Sequence, residues 1–343
     1  MRALVLHEAN KPFDLIEVPD PVAGSHQAVA KVFACGSGLT IQHFKAGRVP
    51  AVFPRIIGHE ICAEIVEVGA GVTSLEIGDI VTAYFYLNCG HCRMCVEDYQ
   101  PLCENFSGYV GRECDGGYAE YIKLPERNFI RLPDELDWQD QPAHVGVAMD
   151  ALATPYKVLR RAQIRADETV AVFGAGGGLG IHQLMMTRWA GARAIAVDIR
   201  ASKFEACREA GADEVVDASD VDVAEALMDL TNGNGVDVAV DYVSATSTLE
   251  AGAQSLGKRG RLVTLGGAGE QFNVSAKDLL NKELVILGSR YVTPTEIRKT
   301  YKLMARGEVW PTVTEIRPME EAEELHELVE KGEVTGRAAL RIA

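Results

Sequence analysis

Half of the chain's eight cysteines fall in one stretch, CGHCRMCVEDYQPLC, as Cys89, Cys92, Cys95 and Cys103. Four thiolates at C-x2-C-x2-C-x7-C spacing can enclose a tetrahedral zinc and leave no coordination position open, which makes such a site structural. A redox pair of the thioredoxin kind needs only two cysteines before a helix. A nucleic-acid zinc ribbon calls for two separated C-x2-C pairs in basic surroundings, and neither is present. A second chemical stretch is VAVFGAGGGLG, residues 170–180, where an apolar strand runs into Gly174, Gly176, Gly177, Gly178, Leu179 and Gly180. Glycines there permit a tight turn and let backbone N–H groups approach a pyrophosphate at a helix N-terminus. The spacing is one residue longer than G-x-G-x-x-G, but Asp198 closes the next strand, RAIAVD, where a carboxylate accepts from ribose hydroxyls and repels a 2′-phosphate. That order favours NAD over NADP, with Arg200 as the residue that would bind a phosphate. A third set is scattered: Cys35 in VFACGSG, His59 and Glu60 in IIGHE, and Asp150 in VAMDALATPYKVL. Each alone reads as an ordinary buried cysteine, structural histidine or solvated acid.

The elements that must position these groups fall into two kinds. Residues 1 to about 135 read as strands and turns, for example QAVAKVFACG, CAEIVEVGAG and EIGDIVTAYFY. From residue 169, apolar strands (TVAVFG, RAIAVD, ADEVVD, VDVAVDYV, GRLVTLGG, ELVILGS) alternate with helical stretches, the pattern of a parallel, doubly wound α/β sheet. The tail holds two amphipathic segments, TEIRKTYKLMARGEV and MEEAEELHELVEKGEV, before a last strand RAALRI. At 343 residues two domains are expected. A net charge of −15 argues against a nucleic-acid partner. No run of eighteen apolar residues and no signal-peptide pattern is seen, so no membrane partner and a cytoplasmic location are expected. Thiols stay reduced there, which speaks against a disulfide staple.

Taken together, GHEICAEIVEVGAGV, CGSG, the four-cysteine stretch, DGGYAEY, the glycine turn, VDIRASK and the closing GRAAL resemble the zinc-containing medium-chain alcohol dehydrogenases over the whole chain. The resemblance implies a GroES-like, mostly-β catalytic domain (1–154 and 291–343) and a Rossmann coenzyme domain (155–290), with the site in the cleft between them. It implies two zincs per chain. One is catalytic, on Cys35, His59 and Asp150 with Glu60 as a ligand that swings in; the other is structural, on the four cysteines. It further implies Ser37 as first proton acceptor, Lys203 beside the coenzyme, Arg337 at the pyrophosphate, and Phe85 or Tyr86 lining the substrate pocket. The sequence departs from the family pattern at three points. Ala63 replaces a signature glycine, Gly38 an aspartate that steadies the zinc-bound histidine, and Thr40 a histidine that passes the proton to solvent; His43 lies three residues on.

The expected activity is reversible hydride transfer between a primary or secondary alcohol and NAD, in a homo-oligomer, tetramer favoured over dimer. Competing readings are a polyol dehydrogenase or other zinc-dependent carbonyl reductase, a zinc-free enone or quinone reductase on the same fold, and a non-catalytic zinc-binding structural protein.

Overall fold

The computed structural model describes residues 1–267 and 269–343. It divides into two compact units, Met1–Ala153 with Val292–Ala343, and Thr154–Tyr291.

In the first unit the long strand Gln27–Ser37 is the organiser. Its alternating small and β-branched residues bury one face, and it pairs antiparallel with Ile61–Val68, Tyr121–Pro125 and the last strand Arg337–Arg341. Val313–Pro318 extends this seven-stranded sheet beyond the last strand, while Ile80–Ala83 and Phe129–Arg131 extend it beyond Ile61–Val68. A small sheet, Asp14–Glu17, Arg2–Leu6 and Arg55–Ile56, packs into the same core. The helix Pro142–Ala151 lies across Gln27–Ser37 and Ile61–Val68 and is buried nearly all round. That is why its sequence lacks an amphipathic pattern, and it is what carries Asp150 inside. The helix Ala322–Lys331 packs its Ala322, Leu325, His326, Val329 stripe against the unit.

The second unit is a six-stranded, all-parallel sheet in the order Glu214–Asp217, Arg193–Asp198, Thr169–Phe173, Val236–Asp241, Leu256–Thr264, Val285–Gly288. This is the doubly wound order, with its switch point beside Thr169–Phe173, where nucleotides bind. No helix among the described residues is long and apolar enough to cross a membrane.

Candidate active site

The four-cysteine stretch forms a lobe built on two short helical turns, Arg93–Val96 and Gln100–Leu102. All eight cysteines are free thiols. Cys89 Sγ lies 3.9 Å from Cys95 Sγ, and Cys92 Sγ lies 3.8 Å from Cys103 Sγ. A disulfide needs about 2.05 Å between sulfurs. A tetrahedron with zinc–sulfur bonds of about 2.3 Å has edges of about 3.8 Å. The lobe therefore has the dimensions of a zinc cage. Its backbone is arranged for thiolates: Cys89 N–H donates to Cys103 Sγ, Cys92 N–H to Cys89 Sγ and Glu104 N–H to Cys92 Sγ. The His91 N–H is the main cause that brings Cys89 down to about 5, whereas burial pushes Cys95 up to about 12.

The scattered acids and histidine converge. One ligand atom each from His59, Glu60 and Asp150 lies within 4.8 Å of the others, and all three residues are buried. Neither ring nitrogen of His59 has a hydrogen-bond partner among the described residues, nor does Glu60 Oε2. Unsatisfied buried polar atoms cost about 1–3 kcal/mol each, so a site with three of them is built for a further partner. Burial lowers His59 to about 4, opposed by Asp150 and reinforced by Arg337, so the imidazole is neutral and available as a ligand. Burial also raises Glu60 to about 8, with Arg337 pulling it down and Asp150 pushing it up. Arg337 Nη2 donates to Glu60 Oε1 at 2.7 Å and to Asp150 Oδ2 at 3.1 Å. Two carboxyl groups thus share one guanidinium, and Glu60 keeps its proton until a further cation arrives; an imidazole and carboxylates are the donors a zinc ion takes. The residues present fit that ion.

Cys35 is not in this group. Its Sγ contacts Gly36 O at 3.7 Å, and the His59 and Glu60 N–H groups also bond to it. A Cβ at Gly58 would lie 2.8 Å from it, so the glycine, at φ +96°, leaves the sulfur its room. Gly38 serves Arg337 in the same way. A side chain there would strike the guanidinium, so the departure at 38 makes the space that lets Arg337 reach Glu60 and Asp150. Phe85 packs its ring 4.0 Å from that of His59 and stacks on Tyr109, with Tyr86 edge-on, forming an aromatic wall.

Ser37 is buried and its Oγ lies 3.2 Å from His326 Nε2. Thr40 is exposed, and His43 Nδ1 is occupied by Arg48 at 2.8 Å. The residues that sequence reading missed are His326, Tyr118 and Gln42. Only His326 left a signal, a histidine on the apolar stripe of its helix.

In the second unit the strand Thr169–Phe173 ends at Gly174, φ +70°, and the helix Gly180–Trp189 begins after Leu179. Gly176 N–H donates to Asp198 Oδ2 at 2.8 Å, and Arg200 N–H to Oδ1 at 3.0 Å. A Cβ at Gly176 would press within 2.6 Å of the Lys203 side chain, which is itself buried against the turn. Gly177 N–H bonds back to Gly174 O at 3.1 Å, closing the turn, with Gly178 beside it. Beside Gly174 and Asp198 opens a cavity of about 510 Å³ walled by Ile199, Val221 and Val243, an apolar slot next to a carboxylate.

Residues 21–134 match the family model described as alcohol dehydrogenase GroES-like domain, and residues 178–306 match the one described as zinc-binding dehydrogenase. An alcohol dehydrogenase of Geobacillus stearothermophilus is 32% identical, over 100% of this chain and 99% of its own. An NAD-dependent alcohol dehydrogenase of Sulfurisphaera tokodaii is 30% identical over 99% of both. The crystal structure of the alcohol dehydrogenase from Aeropyrum pernix superposes with a TM-score of 0.89 at 30% identity, covering 99% of this chain and 100% of that one.

Proposed function

This chain belongs to the zinc-binding, NAD-dependent alcohol dehydrogenases, and from that premise we propose how its residues divide the work of moving hydride between a primary or secondary alcohol and NAD. The observation that carries the assignment is His59: a buried, neutral imidazole with both nitrogens unpartnered, beside two buried carboxylates. His59, Asp150 and Cys35 would hold the catalytic zinc, with Glu60 a transient fourth donor. Zinc, when bound, supplies Lewis acidity that lowers the pKa of the alcohol. Cys35 and Asp150 each contribute one negative charge to offset the ion, and a permanent Glu60 would add a surplus one. Arg337 holding Glu60 Oε1 supports the transient role, because that contact gives the acid a partner when it is not a ligand. Cys35, whose Sγ contacts Gly36 O, would join His59 and Asp150 as the thiolate donor. Ser37, two residues along the same strand, receives the alcohol proton. Phe85 and Tyr86 shape the apolar end of the substrate pocket.

Cys89, Cys92, Cys95 and Cys103 would hold a second, structural zinc. The sulfur spacing and the amide donors support this. In the second unit the turn Gly174–Gly180 and Lys203 would bind the NAD pyrophosphate, and Asp198 the adenosine ribose, with the adenine in the Ile199–Val221–Val243 slot. Arg337, expected at the pyrophosphate, is 7% exposed and paired with Glu60 and Asp150; we assign it to balancing the charge of those acids. The working form is a homo-oligomer, a tetramer rather than a dimer, in the cytoplasm.

The test is a screen for NADH fluorescence against primary, secondary, cyclic and aromatic alcohols, run in both directions, with zinc quantified in the same samples. Turnover that disappears on chelation and returns with zinc supports the reading. A zinc-replete protein inert toward every alcohol and carbonyl compound tried would overturn it.

A further inference from the structure

A chain of hydrogen bonds runs from buried Ser37 out to Glu330 at the surface, and its donors and acceptors can be assigned in sequence. Glu330 is a carboxylate that pairs with Arg48, and it can only accept. Gln42 places an amide atom 2.8 Å from Glu330 Oε2, so that atom is the NH₂ group. The other end of the amide, Oε1, therefore faces His326 Nδ1 at 2.6 Å and can only accept. Nδ1 must carry the proton. In a neutral imidazole Nε2 is then a lone pair, and the imidazole is neutral because burial, followed by the nearby Lys45, lowers it to about 3. Two hydroxyls face that lone pair, Tyr118 OH at 2.9 Å and Ser37 Oγ at 3.2 Å. Burial holds Tyr118 well above its ordinary value, so it stays a phenol, and Ser37 also bonds to it. Tyr118, the nearer hydroxyl, gives its one hydrogen to Nε2, and the Ser37 hydrogen points to the Tyr118 oxygen.

We propose that His326 is a positioning residue for Ser37, locked by the Glu330–Gln42 pair as the Nδ1–H tautomer so that its Nε2 takes the Tyr118 hydroxyl as a donor, which leaves the Tyr118 oxygen to accept the serine hydrogen and the serine lone pairs to accept the proton of the alcohol. A hydroxyl both donates and accepts; fixing which partner it donates to fixes what it can accept from. The inference rests on the alcohol dehydrogenase reading of Ser37. It supplies an internal partner for Ser37 in a chain whose Thr40 is exposed and whose His43 is engaged by Arg48.

Long-range ¹H–¹⁵N correlation on protein labelled in its histidines reads the tautomer without any turnover, and His326→Gln identifies the signal by its loss. The expected result is a neutral Nδ1–H ring between pH 8 and 5, and Gln42→Leu shifts it toward Nε2–H. A wild-type ring in the Nε2–H form overturns the proposal. Kinetically, His326→Leu frees the Tyr118 hydroxyl to turn toward Ser37 and lowers turnover by up to about 100-fold, as small misplacements in an active site do. KM for NAD and bound zinc stay unchanged, and His326→Gln, whose amide oxygen can accept, restores most of the rate. Should His326→Leu fail to fold, Gln42→Leu carries the same kinetic expectation. Wild-type turnover in a folded, zinc-replete His326→Leu enzyme overturns the proposal. Wild-type protein that turns over no alcohol refutes the parent reading alone, and the tautomer then decides this one.

Discussion

Replacing Arg337 with methionine isolates the electrostatics of the proposed zinc site. Its guanidinium bridges Glu60 and Asp150, and the side chains of all three are at most 8% exposed. Methionine retains the apolar stem and deletes the charge, so Asp150 and Glu60 lose their shared cation inside the fold. Breaking a buried pair by removing one partner costs about 3–5 kcal/mol. For a unit of this size each kcal/mol lowers Tm by about 2–4 °C, so the metal-free variant should melt about 6–20 °C below metal-free wild type. Zinc acts in the opposite direction. A ligand at a hundred times its Kd stabilises by about 2.7 kcal/mol, so excess zinc should recover half or more of the loss, and more in the variant than in wild type. The assay is circular dichroism melting of both proteins after identical chelation, repeated with added zinc. Equal melting temperatures for the two chelated proteins would refute the charge balance argued for this site.

Cys103→Ser should lower bound zinc by one ion per chain and lower Tm, since three thiolates cannot close the lobe; mild chelation of wild type should strip the His59 site first and leave this one loaded, as metal analysis against time would reveal. Asp198→Ala removes the proposed ribose acceptor, and losing one charged hydrogen bond of about 1.5 kcal/mol or more weakens NAD by about tenfold or more; NADP binding should improve, and a wild type that already prefers NADP would reverse the assignment. His326 gives a pH signature. Its folded value, about 3, lies below the ordinary 6.5, so the unfolded chain takes up a proton first and stability falls as pH drops below about 6.5. Urea unfolding at pH 5.5 should find about 1.4 kcal/mol less stability from this residue than at pH 7.5, a difference that His326→Gln abolishes.

What could be read from the sequence depended on how locally each feature is built. The four cysteines span fifteen positions, so their spacing alone implies a cage. The glycine turn, its strand and Asp198 form one strand–turn–helix–strand unit, and the alternation from Thr169 to Gly288 repeats it. The helix Pro142–Ala151 is buried nearly all round, so nothing in its own residues says which way Asp150 faces. The short helix Leu39–Lys45, inside a stretch read as strands and turns, went unseen. Arg337 is the clearest illegible case. The antiparallel pairing of Ala338 with Ser37 brings the last strand against the start of the site, and only then does Gly38 become the gap that admits the guanidinium. His326 meets Ser37 across 289 positions. A histidine on an apolar stripe signals that something is held there, and only the packed helix reveals what.

The most direct test of the account is alcohol-dependent NADH formation by His59→Ala compared with wild type, with zinc counted in both. The account predicts two zincs per chain in the active wild type. In the variant it predicts one zinc, retained by the four-cysteine lobe, an unchanged fold by circular dichroism, and loss of NADH formation. A His59→Ala protein that binds one zinc and still reduces NAD at the wild-type rate would contradict the claim that this buried histidine serves the reaction.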